Sequence, residues 1–243
     1  MAAAADSGYI SHMRILGIDT SGPLSSVALL EGGSVRAEER FPEGARPSAD
    51  IVPALQRILG EAGVRVEDVD AFAAVRGPGS FTGLRVGLAT ARGLALASGR
   101  PAAGMCALDL LARQAPREAS TVCALIDAGR GEVYAGIYRA DGESWSRQGA
   151  YQLLSPEAAA GLAGAAVYLG SGAAAGRARL EACPGARIAP YRPWLAADAA
   201  RELGAALARG ERIDPETLRP LYIRPSEAER TGRWGTTISV LNR

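Results

Sequence analysis

The sequence has 243 residues, of which 48% are hydrophobic and 22% charged, a composition typical of a soluble globular protein. Its net charge of +1 excludes a strong long-range attraction to nucleic acid or to an anionic membrane. Every basic residue is arginine, so chemistry that needs a lysine amine, such as a P-loop or a pyridoxal Schiff base, is excluded as well.

The histidine and cysteine content excludes further classes of site. His12 is the only histidine and lies near the N-terminus, so neither a His-based catalytic dyad nor a His-bearing metal site is expected in the folded part. Cys106, Cys123 and Cys183 are far apart and form no Cys-x-x-Cys pair, which predicts buried, reduced thiols in a reducing compartment. Because no segment has the pattern of a membrane span or a signal peptide, we expect a cytoplasmic protein without membrane association.

Residues 1–13 show no hydrophobic periodicity and are expected to be a leader or tag outside the fold. The junction Ser11-His12-Met13 resembles a cloning scar ahead of a native start at Met13, and a wrongly assigned native start is the alternative. The first predicted strand begins directly after this junction, at Arg14.

The spacing of apolar residues in the first half predicts three strands, a helix, a fourth strand and a second helix. The pair Gly32-Gly33 is typical of a tight turn between two antiparallel strands. The predicted elements are strands Arg14–Asp19, Ser25–Glu31 and Ser34–Phe41, helix Ser48–Glu61, strand Asp70–Val75 and helix Phe81–Ala97.

The second half repeats this order of elements and adds a C-terminal helix. Its predicted elements are strands Thr121–Asp127, Glu132–Arg139 and Trp145–Leu153, helix Pro156–Leu162, strand Ala165–Leu169, helix Ala173–Ala182 and the last helix Leu195–Ala208.

The repeated order predicts an α/β protein made of two ribonuclease-H-like lobes, as in the actin-like ATPase (ASKHA) superfamily. We expect a first lobe at residues 14–104, a second lobe at residues 105–192, and a C-terminal helix and tail at residues 193–243. A single mixed α/β domain is the alternative.

The turn after the first strand carries Asp19, Thr20 and Ser21, and Asp127 stands at the matching place in the second half. In a cleft, the hydroxyls and backbone N–H groups of such a turn bind phosphate oxygens, and a carboxylate holds water on Mg²⁺. These four residues are therefore predicted to form a vestigial nucleotide cleft between the lobes. The alternative is that they only close a hairpin.

The second helix of the first half has a small residue at every fourth position, namely Gly83, Gly87, Ala91 and Ala95. Such a seam allows another helix to approach closely, and most of the remaining helix surface is also apolar. We therefore predict that its own sheet covers one side of this helix and a second protein the other. On this interpretation Gly87→Arg breaks the complex without unfolding the lobe. The alternative is an internal helix of a larger core.

Four stretches of the sequence resemble the bacterial TsaB (YeaZ) family. They run in family order from Arg14 to about Glu229, and the second of them is highly specific. The stretches are Ile-Leu-Gly-Ile-Asp-Thr-Ser from Ile15, Arg-Gly-Pro-Gly-Ser-Phe-Thr-Gly-Leu-Arg-Val-Gly from Arg76, Asp-Ala-Gly-Arg-Gly-Glu-Val-Tyr from Asp127, and Pro-Leu-Tyr-Ile-Arg-Pro-Ser from Pro220.

The resemblance implies an ASKHA fold and a non-catalytic dimerisation subunit of the complex that forms threonylcarbamoyladenosine beside the anticodon of tRNA. In this family the subunit pairs with and activates the catalytic paralogue TsaD, which carries the metal and the transfer chemistry, and the ATPase TsaE takes part. The resemblance also implies contact with tRNA only through the complex. The apolar seam of the second helix favours a homodimer when the chain is isolated, and a monomer is the alternative. The resemblance implies no tightly bound cofactor, with ATP or ADP and Mg²⁺ either bound weakly or supplied at the level of the complex.

The resemblance further implies where the partner binds, since the pairing surface of the family is built from its first two helices. The catalytic paralogue holds its metal with a His-x-x-x-His pair on the first of these helices, where this sequence has no histidine. We therefore expect neither catalytic residues nor metal ligands in this chain. The helices correspond to Ala49–Glu61 and Thr82–Ala97, and the expected interface residues are Ile51, Leu55, Leu59, Gly83, Gly87, Ala91 and Ala95.

Two enzyme functions remain as alternatives. A stand-alone ASKHA ATPase or kinase would use Asp19 and Asp127, although Glu132 beside the second turn would repel phosphate. A metallopeptidase, an older assignment for this superfamily, would lack a histidine within the fold. Arginines near the C-terminus are predicted to form a solvated tail and not an RNA site: Arg219, Arg224, Arg230, Arg233 and Arg243.

Overall fold

The computed structural model describes residues 12–142 and 144–224 and divides the chain into two compact units. Among the described residues, the first unit consists of residues 12–111 and 192–221, and the second of residues 112–142, 144–191 and 222–224. The alternative of a single mixed domain is therefore wrong. Residues 1–11 of the predicted leader 1–13, and the tail prediction for Arg230, Arg233 and Arg243, lie outside the described residues. For Met13 the leader prediction is wrong, because its side chain is buried in the first unit and its carbonyl oxygen accepts a hydrogen bond from Gly32 N at 3.0 Å.

The described part of the chain contains eleven strands and seven α-helices. The strands are β1 Arg14–Asp19, β2 Ser26–Glu31, β3 Ser34–Arg40, β4 Ala71–Gly77, β5 Ala102–Cys106, β6 Thr121–Gly129, β7 Glu132–Asp141, β8 Ser144–Arg147, β9 Gln152–Leu154, β10 Val167–Leu169 and β11 Arg187–Ile188. The helices are α1 Pro47–Ala62, α2 Phe81–Ser98, α3 Ala107–Ala112, α4 Pro156–Ala163, α5 Ser171–Ala175, α6 Arg177–Glu181 and α7 Ala196–Ala208.

The sheet of the first unit has the strand order β3-β2-β1-β4-β5. Strands β1, β2 and β3 are antiparallel, whereas β4 is parallel to β1 and β5 is parallel to β4. Gly32 and Gly33 have positive φ angles of 56° and 80° and form the tight turn between β2 and β3 that the sequence predicts. The result is the strand order of a ribonuclease-H-like lobe.

Helices cover both faces of this sheet, because successive side chains of a strand point to opposite faces. Leu16 and Ile18 of β1 belong to an apolar core that includes Ile51 of α1 and also takes in residues of α2. Gly17 between them faces α7, where an added Cβ would lie 2.0 Å from the carbonyl oxygen of Ala196. The first unit therefore has three layers, with α1 and α2 on one face of the sheet and α7 on the other.

Helix α7 and the segment after it belong to the first unit and do not form the separate C-terminal region that the sequence predicts. Helix α7 packs on β1, β2 and β4. A short 3-10 turn, Pro215–Leu218, lies beside β5, where Thr217 Oγ1 accepts a hydrogen bond from Gly104 N at 3.0 Å. The backbone N–H of Leu221 then donates to the carbonyl oxygen of Arg76 at 2.7 Å. This segment therefore supplies a partner to β5, at the edge of the sheet, and another to β4.

The sheet of the second unit has the order β11-β10-β6-β7-β8, and β9 also pairs with β7. Its first three strands are antiparallel and β10 and β11 continue in parallel with β6, so the order of the first unit is repeated. The prediction of two ribonuclease-H-like lobes is confirmed. The boundary between them follows Leu111 instead of residue 104.

Short elements of the second unit differ from the prediction. The single strand predicted at Trp145–Leu153 is divided into β8 and β9, with Gly149 at a φ of 73° between them. The helix predicted at Ala173–Ala182 is divided into α5 and α6 at Gly176. Strand β11 has only two residues, and β5 and α3 are also short, so apolar periodicity gave no signal for them.

Only one of the three cysteines is buried as the sequence predicts. Cys123 lies in the core of the second unit, and burial raises the pKa of its thiol to about 12, whereas Cys106 and Cys183 are half-buried. Because the thiolate is the reactive form, we expect Cys123 to stay unmodified by a disulfide reagent at pH 8 until the protein is unfolded. The native Cys123→Ser variant should therefore react to the same extent as the wild type, with Cys183→Ser as the control. A smaller native reaction for Cys123→Ser would contradict this burial.

Candidate functional site

The turn that follows β1 is held by hydrogen bonds to its own aspartate. Asp19 is 1% exposed, and its Oδ1 accepts hydrogen bonds from Ser21 N at 2.9 Å and from Ser21 Oγ at 2.6 Å. Its Oδ2 accepts a third from Leu195 N at 3.1 Å. Burial raises the pKa of the Asp19 carboxyl, and the hydrogen bonds from Ser21 and Leu195 oppose this effect. Both carboxylate oxygens therefore have partners inside the first unit.

The same turn region caps helix α7. The first N–H groups of a helix have no partner within the helix and must find one elsewhere. Asp19 supplies an acceptor for Leu195 N, and Ser26 Oγ accepts from Ala196 N at 3.3 Å. A carboxylate is also electrostatically favourable near a helix N-terminus. Asp19 thus anchors α7 to β1, a role that its local sequence does not indicate.

The predicted phosphate-binding turn is also bonded to the start of α2. Thr20 Oγ1 donates a hydrogen bond to the carbonyl oxygen of Gly83 at 2.7 Å. The backbone N–H of Ser80 donates to the carbonyl oxygen of Ser21 at 2.7 Å, and Ser80 Oγ caps α2 by accepting from Gly83 N. The hydroxyl protons of Thr20 and Ser21 are therefore both used within the fold. This leaves fewer donors for a phosphate than the sequence predicts.

Glycines in the stretch from Arg76 permit this close approach. An added Cβ would lie 2.0 Å from the Ser21 carbonyl oxygen at Gly79 and 2.0 Å from the Thr20 carbonyl oxygen at Gly83. At Gly87 it would lie 2.4 Å from Thr20 Oγ1. These distances are far shorter than a van der Waals contact, so a larger residue fits only if the backbone or its hydrogen bonds shift. The most specific stretch of the sequence is therefore the surface on which the β1–β2 turn packs.

The small-residue seam of α2 faces this chain itself, which corrects the predicted choice of interface. Its residues approach β1 and the β1–β2 turn, so no foreign helix can occupy that face while the first unit is folded. For the same reason Gly87→Arg would disturb the fold and not only a complex. The remaining expected interface residues belong to the core of the first unit or pack against it: Ile51, Leu55, Leu59, Ala91 and Ala95.

A cleft of about 290 Å³ opens beside the β1–β2 turn in the first unit. The starts of α1 and α2 both border it, and its described lining has hydroxyls but no charged side chain. Of the predicted nucleotide residues in this unit, Thr20 lines the cleft and Asp19 and Ser21 do not. The lining consists of Thr20, Gly22, Pro23, Ser25, Gly44, Ala45, Pro47, Ser48, Ser80, Thr82, Gly83 and Val86.

Asp127 lies in the second unit, near the end of β6 and just before the turn to β7. It is exposed, its Oδ1 accepts a hydrogen bond from Gly129 N at 2.9 Å, and its own N–H donates to Ser171 Oγ at 3.1 Å. These bonds shape the turn. Since Asp19 and Asp127 belong to different units, their joint action on a nucleotide stays a prediction.

Arg224 fixes the same turn and is not part of a solvated tail. Its guanidinium pairs with Glu132 at 2.6 Å and donates to the carbonyl oxygen of Ala128 at 3.1 Å. Glu132 therefore has its charge balanced within the second unit. The contact joins the stretch from Asp127 to the stretch from Pro220, and no local pattern in the sequence signals it.

The outward face of α2 carries a different set of residues, which the sequence interpretation missed. We call this face the outer stripe. Leu96 is 79% exposed and Phe81 44% exposed, and the Arg85 guanidinium stacks on the Phe81 ring at 3.8 Å. The residues of the outer stripe recur every three or four positions, as expected for one face of a helix. This periodicity was present in the sequence, next to the stronger pattern of small residues. The outer stripe consists of Phe81, Arg85, Ala89, Arg92 and Leu96.

The described residues contain neither a metal-binding cluster nor a membrane-spanning helix. No three His, Cys, Asp or Glu side chains among them are grouped so that they could hold a metal ion. No helix within the described ranges combines the length and apolar character needed to cross a membrane.

Two ribonuclease-H-like units in one chain, with a Ser/Thr-rich turn after the first strand, define a protein of the actin-like (ASKHA) class. The family model of TsaD, a tRNA N6-adenosine threonylcarbamoyltransferase, matches residues 42–184. YeaZ from Pseudomonas aeruginosa has a similar structure, with a TM-score of 0.72 and 35% identity over 86% of this chain and 99% of that one. A second structure from the same organism, described as similar to the peptidase YEAZ, has a TM-score of 0.73 and 35% identity, covering 87% of this chain and all of that one.

Curated relatives give the same assignment. The chain is 42% identical to the tRNA threonylcarbamoyladenosine biosynthesis protein TsaB of Escherichia coli over 149 residues, which are 60% of this chain and 64% of that protein. It is 32% identical to the TsaB protein of Bacillus subtilis over 52% of this chain and 56% of that protein. The matches thus span a little over half of these relatives. The chain belongs to the TsaD family and, within it, to the TsaB (YeaZ) proteins.

Proposed function

We propose that this chain acts in the biosynthesis of tRNA threonylcarbamoyladenosine as a non-catalytic subunit that pairs with and activates a TsaD-type catalytic subunit. Membership of the TsaB proteins supports the pathway, since relatives carry that name. The observation that carries the non-catalytic role is the use of Asp19, Thr20 and Ser21 inside the fold. In an enzyme of this class these groups would face a nucleotide.

The sequence of α1 also supports a non-catalytic role for this chain. The catalytic paralogue is expected to hold its metal through histidines on this helix, and α1 contains none. Its inward residues are instead apolar, and Ile51 and Ile58 are 2% and 1% exposed in the core of the first unit. Transfer chemistry in the complex is therefore assigned to the partner.

The outer stripe of α2 supports a pairing role. Large apolar side chains that stay exposed on a folded unit commonly mark a protein interface. Leu96 and Phe81 on α2, together with Val52 on α1 at 53% exposed, provide such side chains on the two helices that the family uses for pairing. A TsaE-type ATPase and tRNA would then act on the complex, and self-association of the isolated chain would use the same apolar residues.

The test is depletion of this protein in its own organism, followed by mass spectrometry of tRNA nucleosides. Threonylcarbamoyladenosine is expected to fall several-fold and to return when the wild-type chain is supplied. Co-expression with the TsaD-type subunit of the same organism should give a complex on size-exclusion chromatography. Unchanged threonylcarbamoyladenosine, or ATP turnover by the purified chain alone at rates typical of a kinase, would contradict the proposal.

A further inference from the structure

Ser25 carries a buried hydroxyl group that has no partner among the described residues. It follows β1, is 2% exposed and lines the cleft of the first unit. Its Oγ makes no hydrogen bond to a described residue, whereas the Oγ of the next residue, Ser26, accepts one from Ala196 N at 3.3 Å. A buried polar group costs free energy unless something bonds to it. The hydroxyl of Ser25 is therefore available to a molecule in the cleft.

The starts of two long helices border the same cleft. Helices α1 and α2 have 16 and 18 residues, and Ser48 and Thr82 in their first turns both line the cleft. The first N–H groups of a helix have no partner within it, and the helix dipole makes this end positive. Ser80 Oγ caps Gly83 N in α2, but the N–H groups of Ser48 and Thr82 have no partner among the described residues. Hydrogen-bond donors from two helices and from Ser25 are thus found around one cavity.

The charges and the size of the cleft restrict the ligand. Its described lining contains no charged side chain and no aromatic ring, so nothing there can pair with several negative charges or stack on a nucleobase. Asp50, in the first turn of α1, places a negative charge nearby, and its Oδ2 accepts a hydrogen bond from Arg46 N at 2.8 Å. The volume of about 290 Å³ is at the lower end of the range for ligand pockets. A small ligand of low charge with several acceptor oxygens matches these properties.

We propose that this cleft is a binding site for a small oxyanion, either a carboxylate or a tetrahedral anion such as phosphate. The hydroxyl of Ser25 and the N–H groups of Ser48 and Thr82 would donate to its oxygens, and the two helix dipoles would stabilise its charge. The site lies within the first unit and contains neither Asp19 nor Asp127, so it differs from the predicted nucleotide cleft. The inference does not depend on the proposed function.

The test is titration of the full chain with inorganic phosphate, sulfate and acetate at constant ionic strength, followed by NMR of the backbone amides. At least one of these anions should shift the amide signals of Ser48 and Thr82 in a saturable way. The dissociation constant is expected to be about millimolar, because no cation in the lining pairs with the anion.

Ser25→Ala should raise the dissociation constant by about 10-fold, because it removes a donor to a charged ligand. Since Ser25 Oγ has no partner among the described residues, the variant should unfold at the same urea concentration as the wild type. Ser34→Ala is the matched control at an exposed hydroxyl on β3, and it should alter neither binding nor stability.

Asp50→Asn tests the charge of the ligand. Asparagine keeps an oxygen that can accept from Arg46 N, but it removes the negative charge at the start of α1. The dissociation constant of the bound anion should therefore fall by about 2-fold to 5-fold, with the larger effect at low ionic strength.

Several results would overturn the inference. These are unchanged amide signals of Ser48 and Thr82 with all three anions, equal binding by Ser25→Ala and the wild type, and an unaltered dissociation constant in Asp50→Asn. Tighter binding of ATP than of any small anion would restore a nucleotide site instead. Saturation by acetate alone would support a carboxylate site, and saturation by phosphate or sulfate alone would support a site for tetrahedral anions.

Discussion

Gly83→Ala is expected to destabilise the protein by about 3 kcal/mol, a large part of the stability of an ordinary domain. The added methyl group would lie 2.0 Å from the carbonyl oxygen of Thr20. Relief would require α2 to move away from β1, which would break the hydrogen bond from Thr20 Oγ1 to the Gly83 carbonyl. Urea unfolding followed by circular dichroism measures the change in the free energy of unfolding.

Gly93→Ala is the matched control on the same helix. A Cβ at Gly93 would have no neighbour within 4 Å, and the residue is exposed. Because alanine has the higher helix propensity, this variant should be stabilised by about 0.5–1 kcal/mol. Equal effects of the two substitutions would show that the seam of α2 does not pack on the β1–β2 turn.

Asp19→Ala is also expected to lower the free energy of unfolding by about 3 kcal/mol, because it removes the acceptor of three hydrogen bonds in a buried place. Two of the donors are the backbone N–H groups of Ser21 and Leu195, which would lose their partners. Hydrogen exchange at the start of α7 should accelerate with the loss of its cap. Asp127→Ala, at an exposed position near the end of β6, should change stability by no more than about 0.5 kcal/mol.

The pH dependence of stability provides a second measurement for Asp19. Burial raises its pKa above the ordinary value of 3.8, so the native state binds this proton more tightly than the unfolded chain does. The contribution of Asp19 to the stability of the wild type should therefore be complete below pH 3.8 and decline as pH rises through the raised pKa. The Asp19→Ala variant should lack this decline. Unaltered stability of that variant, with loss only of nucleotide binding, would restore the phosphate-binding interpretation.

Much of the fold could be predicted because its elements end at residues with a local signature. The Gly32-Gly33 turn between β2 and β3 is one case, and Gly99, which ends α2 with a φ of 67°, is another. The order of strands and helices follows from apolar spacing, and its repetition predicts two lobes. The shortest elements, such as β11, contain too few residues for any period to emerge.

The candidate site was harder to predict because its contacts join residues far apart in sequence. Asp19 bonds to Leu195, which lies 176 residues away, and no local pattern records such a pairing. Gly83 and Gly87 indicate that a neighbouring group approaches α2 closely. The absence of a Cβ does not indicate whether that neighbour belongs to the same chain or to a foreign helix. The sequence therefore predicts an interface on the small-residue seam, whereas the exposed residues of α2 lie on the adjacent face of the helix.

The close fit between the β1–β2 turn and the loop and helix from Gly79 to Gly87 bears on how related proteins are classified. A substitution in either part must be sterically compatible with the other part for the protein to fold, whether or not the protein binds a substrate or metal. A related protein that has lost catalytic activity can therefore still retain the sequence of these two parts, because the fold requires it. A sequence search based on these two parts will therefore group active enzymes with inactive subunits. Residues outside these two parts are needed to distinguish the two kinds of protein.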